Sequence, residues 1–174
     1  MNIFNCKANI LAPTIRIIMA TMLIIICTKI KIPLNPVPIV LTSVAINFIG
    51  IRYNFYEATL SVLLYLAIGS TGVPIFASAS SSIAGPTGGY LIGYLISVMV
   101  MTKFKQAELI SNNVISDVAT SALGVMMIYA PGVIWLSKFV GGYEQAIQLG
   151  LYPFILVGIA KIFILCFILK LTGK

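Results

Sequence analysis

Long apolar runs, separated by short polar or proline- and glycine-rich breaks, organise this chain. The runs cover residues 15–32, 37–51, 54–69, 88–102, 113–136 and 149–171. A run of 18 or more apolar residues is a spanning-helix candidate, and about 20 residues cross a hydrocarbon core of about 30 Å. The first run, Ile15 to Ile32, stops at Pro33, and Leu149 to Leu171 is the longest. The middle runs hold fewer clearly apolar residues, roughly 20–23 Å of helix at 1.5 Å per residue. Such runs extend through polar flanks or sit in a locally thinner bilayer; four spans with re-entrant segments would also accommodate them. Between the runs lie a rigid connection with Pro33, Pro36 and Pro38, a long loop from Ser70 to Gly89, and a second loop from Lys138 to Gly150. Pro131-Gly132 is expected to interrupt the fifth run. The pattern predicts an all-α membrane protein, a compact bundle of six transmembrane helices in one integral domain over residues 1–174.

Composition strengthens this reading. Hydrophobic residues make up 60% of the chain and charged residues 9%, against about 25% charged in a soluble domain. The net charge of +7 does not form a nucleic-acid footprint, because the cations are sparse and sit at the ends of apolar runs. With the N-terminus inside, Lys7, Arg16, Arg52, Lys103, Lys105, Lys170 and Lys174 are cytoplasmic, while Lys29, Lys31 and Lys138 are outside. The positive-inside rule then places both termini in the cytoplasm of a multi-pass cell-membrane protein. All three irregular connections face outward, on the side where a capture site could be built. Lys7 and Arg16 precede the first run, but no small-residue cleavage site follows at Cys27-Thr28-Lys29, so that run is read as a retained helix.

Candidate chemistry is scarce. The acids are Glu57, Glu108, Asp117 and Glu144, on different segments. Glu57 and Asp117 suit helix starts, where a carboxylate complements the dipole. No paired acids, phosphate loop or nucleophile–base pair is visible, which argues against an enzyme. Cys6, Cys27 and Cys166 form no CxxC pair and there is no histidine, so neither a metal site nor a cofactor is expected. Lys161 stands out, about ten residues inside the last apolar run. A cation at that depth costs about 2.5–3.5 kcal/mol on insertion scales and faces a polar cavity or a partner. In the loop from Gly69 to Ser82, Pro74 and Phe76 suggest an ordered lid, with serine hydroxyls available to a polar ligand. Next comes Gly85-Pro86-Thr87-Gly88-Gly89-Tyr90-Leu91-Ile92-Gly93-Tyr94. Gly85-Pro86 is a turn signal and Thr87 a candidate helix cap. Gly89 and Gly93 have the four-residue spacing that lets membrane helices approach closely.

The run Gly85–Tyr94 resembles the signature of the BioY family, substrate-binding components of energy-coupling-factor biotin transporters. Other pieces agree in order: Ile32-Pro33 with Pro36-Val37-Pro38-Ile39, Tyr65–Gly69 with Gly72–Phe76, Tyr129 with Gly132 and Trp135-Leu136, and Gly150 with Pro153-Phe154. The resemblance runs from about Ile15 to Leu171. It implies a six-helix bacterial protein without catalysis of its own, whose outward pocket captures biotin for uptake. It implies work with a transmembrane coupling subunit and two ATPases, or as a homo-oligomer, in contact with membrane lipid. It implies ligand contacts at Lys161, Phe76 and Tyr90, at Ser78 where the family can carry asparagine, and at Gly158 where it usually carries aspartate. Pro38, Gly85, Pro86, Thr87, Gly88, Gly89 and Gly93 form its structural motif. The family's first helix carries small residues for docking on the coupling subunit, at positions held here by Ala12, Arg16 and Ala20. One cation, hydroxyl donors and aromatic walls suit biotin, and they suit another small vitamin or carboxylate as well. A non-transporting structural membrane protein is the remaining alternative.

Overall fold

In the computed structural model, residues 3–77, 83–155, 157–158, 161 and 164–165 are described, with side-chain environments from Leu11 onward. Helix α1 (Ile3–Lys29) begins well before the apolar run and carries Pro13 inside it. Leu11, Ile15, Ile18, Met22 and Ile26 recur every three or four residues and are exposed, while Ala20, Thr21, Ile24 and Thr28 form a buried stripe. This is helical periodicity with its larger apolar side chains turned outward, an arrangement suited to lipid rather than water. Ala20, expected from the resemblance as a docking position, is buried and belongs to the core.

After α1 comes a feature the apolar pattern does not reveal. Strands β1 (Lys31–Ile32) and β2 (Ile39–Val40) pair antiparallel, Lys31 with Val40 and Ile32 with Ile39. The helix expected from residue 37 therefore starts only at Thr42, as α2 (Thr42–Arg52). Val37 precedes Pro38 and is disfavoured in helix, and residues 39–40 are engaged in the strand pair. Nine of the eleven residues of α2 are buried. Its length, roughly 16 Å at 1.5 Å per residue, suits an internal helix shielded by its neighbours.

Helices α3 (Phe55–Ser70), α4 (Gly88–Gln106) and α5 (Asn113–Leu136) follow. Asn54 caps α3 by accepting from the Glu57 N–H at 2.9 Å, and Asn112 caps α5 by accepting from Val114 and Ile115. The two acids at these starts also have cations beside them: Arg16 lies 3.7 Å from Glu57, and Lys105 lies 2.7 Å from Asp117. Helix α5 continues through Pro131, where a break was expected. Gly89 and Gly93 lie against α5: a Cβ on Gly93 would stand 2.7 Å from the Ile128 carbonyl oxygen.

The connection expected as a loop from Lys138 to Gly150 contains a further helix, α6 (Tyr143–Gly150). Gly141 and Gly142 lead into it with φ of +86° and +134°, values that favour glycine. Helical backbone is described again at 152–155, 157–158, 161 and 164–165, so the run expected from 149 is interrupted at Leu151; its last residues, 166–171, lie outside the described ones. Among the described residues, two helical stretches are long and apolar enough to cross a membrane by length and composition, Leu11–Lys29 and Asn113–Leu136; α3 is apolar but shorter.

Candidate functional site

A cavity partly open to solvent lies among α1, the β1–β2 hairpin, α2, α3, α4 and α5, with Phe154 and Lys161 also in its wall. Among the described residues its one charged wall residue is Lys161, only 7% exposed. The ammonium donates to the Val40 carbonyl at 2.6 Å and to Ser43 Oγ at 3.1 Å. The strand pair presents Val40, and the first turn of α2 presents Ser43. Neither partner is charged, and among the described residues no carboxylate pairs with Lys161.

Beside this corner lies a group of hydroxyls. Thr28 Oγ1 donates to the Ile24 carbonyl at 2.7 Å. It also lies 2.9 Å from Thr42 Oγ1 and 3.3 Å from the Tyr65 hydroxyl. The rest of the lining is largely aromatic. Tyr90, Tyr129 and Phe154 stand with ring centroids 5.9–6.4 Å apart, and Phe76 meets Tyr65 edge-on at 5.4 Å. Such geometries are favourable for aromatic pairs. Tyr90 is held by its hydroxyl, which donates to the Gly150 carbonyl at 2.9 Å. Its ring packs where a side chain on Gly132 would otherwise lie.

Segment 71–77 closes one side. Ile75 and Phe76 are buried, and two lysines hold the segment down. Lys29 donates to the Pro74 carbonyl, and Lys31 donates to the Ala77 carbonyl at 2.8 Å. The same lysines were read from sequence only as topology signals. The neighbouring turn is fixed by Trp135, whose indole N–H donates to the Gly85 carbonyl at 2.9 Å.

Of the residues singled out from sequence, Lys161, Phe76 and Tyr90 line this one cavity, joined by Pro38 and Thr87. Ser78 lies outside the described residues. Gly158 is buried but is not in the lining; a Cβ there would stand 3.9 Å from the Tyr129 hydroxyl. Thr87 occupies the cap position of α4 without a side-chain cap bond. Its backbone is αR rather than the extended conformation that aims a capping oxygen at the helix. Gly88 and Gly89 sit under the Ile83 carbonyl and Trp135, with no room for side chains. Sequence reasoning did not assign Thr28, Thr42, Ser43 and Tyr65 to the site. Their signal was available as polar groups inside or at the start of apolar runs, although no local pattern says that they meet.

The sequence pattern of the BioY family matches residues 5–174. A probable biotin transporter BioY from Pyrococcus horikoshii is 38% identical over 107 residues, 59% of this chain and 59% of the relative. The biotin transporter BioY of Thermotoga maritima is 31% identical over 107 residues, 60% and 62% of the two chains. These matches thus span about three-fifths of the relatives' length. The crystal structure of the S-component for biotin from an ECF-type ABC transporter superposes with a TM-score of 0.77 at 25% identity, covering 98% of this chain and 95% of that one. A match across nearly the whole sequence, on a helical architecture shared with that S-component, leads to one conclusion: the chain belongs to the BioY family.

Proposed function

We propose that this protein is the substrate-binding subunit of a biotin uptake system, capturing the vitamin on the outer side of a bacterial plasma membrane without catalysis of its own. The observation that carries this reading is Lys161, a buried ammonium whose partners among the described residues are neutral oxygens, in a cavity walled by aromatic rings. A buried cation without a charged partner favours a ligand with a carboxylate or another strong oxygen acceptor, and the rings favour an apolar body. Biotin combines both, and the relatives carry its name. In this reading Lys161 binds a ligand oxygen, Phe76 and Tyr90 enclose the apolar part, and Ser78 and Gly158 stand at further contact positions. The same reading has six spans in one domain with both termini cytoplasmic. It couples the protein to a transmembrane subunit and two ATPases, or to copies of itself.

Equilibrium binding of biotin to the purified protein, paired with biotin uptake by an auxotroph carrying only this transporter, tests the reading. Lys161→Ala is expected to weaken binding at least about tenfold, the loss of a charged hydrogen bond. No binding up to millimolar biotin removes the substrate assignment, and unchanged affinity in the variant removes Lys161 from the site. Gly158, standing where the family usually places aspartate, favours a second reading in which the scaffold takes a different small vitamin or carboxylate. A thermal-shift panel of such compounds separates the two.

A further inference from the structure

The hydroxyl group beside Lys161 has a polarity that follows from counting protons. A threonine or tyrosine hydroxyl carries one donor and can accept. Thr28 gives its one proton to the Ile24 carbonyl, which can only accept. In its contacts with Thr42 and Tyr65, Thr28 is therefore the acceptor, and both partners donate to it. Every proton in the group runs toward Thr28 and on to the helix backbone. What remains on Thr42 and Tyr65, both in the cavity wall, is lone pairs.

Thr42 and Ser43 are consecutive, and Ser43 accepts from Lys161. The wall thus sets acceptor oxygens next to an ammonium, which has three protons, two of them placed on the described partners Val40 and Ser43. We propose that Thr42 and Tyr65, oriented by Thr28, are specificity-determining residues that accept N–H groups of the ligand, selecting compounds with an N–H beside an oxygen acceptor, as in a cyclic urea. Thr28 acts through the other two and is a positioning residue. This assignment rests on the biotin-binding reading and goes further, because it says which ligand group is read at this wall. A site built to accept a ligand N–H discriminates strongly against analogues without one.

The test uses the full chain in detergent and three carboxylates: biotin and desthiobiotin, which carry cyclic-urea N–H groups, and lipoate, which has none. Wild type is expected to prefer both ureas to lipoate. Thr42→Val and Tyr65→Phe are each expected to weaken the ureas at least about fivefold, since a ligand donor is left without a partner. Lipoate binding stays unchanged, and Thr42→Ser, which keeps the hydroxyl, retains wild-type affinity. Variants that bind the ureas like wild type, or that lose all three ligands in proportion, overturn the assignment. So does a wild type that binds lipoate as tightly as biotin. Wild-type protein that binds biotin while the variants are unaffected sinks only the hydroxyl assignment. Failure of wild type to bind any of the three sinks the biotin reading together with it.

Discussion

Tyr90 shows how a single residue serves both the fold and the site. Its ring forms part of the cavity wall, and its proton is committed to the Gly150 carbonyl, just before the break at Leu151. Tyr90→Phe keeps the ring but leaves a buried carbonyl without its donor, which costs about 1–3 kcal/mol. A lower melting temperature in detergent, with ligand affinity changed much less than stability, is the expected outcome. Lys161 was legible in the sequence because a cation amid apolar residues is anomalous wherever the helix lies. Thr28 and Tyr65 were not, because a threonine or tyrosine inside an apolar run is ordinary. Only their meeting, 37 residues apart in sequence, makes them a unit.

Among the elements, α4 and α5 approach closely. The Gly89–Gly93 spacing marked a close approach, and the helix facing them is α5, through Pro131, Trp135 and Ile128. Gly93→Ala is expected to destabilise the protein by about 1–3 kcal/mol, because the added methyl meets fixed backbone and forces the helices apart. Ile92→Ala, on the exposed face, is the control and leaves the melting temperature nearly unchanged. The segment held by Lys29 and Lys31 makes a second prediction at this scale. A typical intramolecular hydrogen bond contributes about 0.5–1.5 kcal/mol, so the double substitution Lys29→Ala with Lys31→Ala is expected to speed ligand release by about fivefold or more. Stopped-flow displacement measures this, with the association rate little altered. Helix α6 and the β1–β2 hairpin were hidden in the sequence for one reason: both are short, and a short element is specified by what it packs against more than by its own pattern.

For the whole molecule, ligand capture and folding are linked. A ligand at a hundred times its Kd stabilises the folded state by about 2.7 kcal/mol, so saturating biotin is expected to raise the melting temperature of wild type and to do so much less in Lys161→Ala. The proposed orientation has its own test. In a chain freed of native cysteines, Asn35→Cys is expected to react with an impermeant maleimide in intact cells, and Glu108→Cys only after permeabilisation; the reverse pattern inverts the topology.

The sequence by itself determined the solvent of this protein, the family scaffold and the cation at Lys161 inside an apolar run. Apolar transfer depends on composition and order along the chain, and the ordered Pro, Gly and aromatic motifs are local. The tertiary structure alone decided what surrounds that cation. Lys161 reaches Val40 across 121 residues and Thr28 reaches Thr42 across 14. The direction in which each hydroxyl gives its proton follows from those meetings. Hydrogen-bond polarity belongs to partners, and the partners are chosen only when the helices and the hairpin close around one cavity.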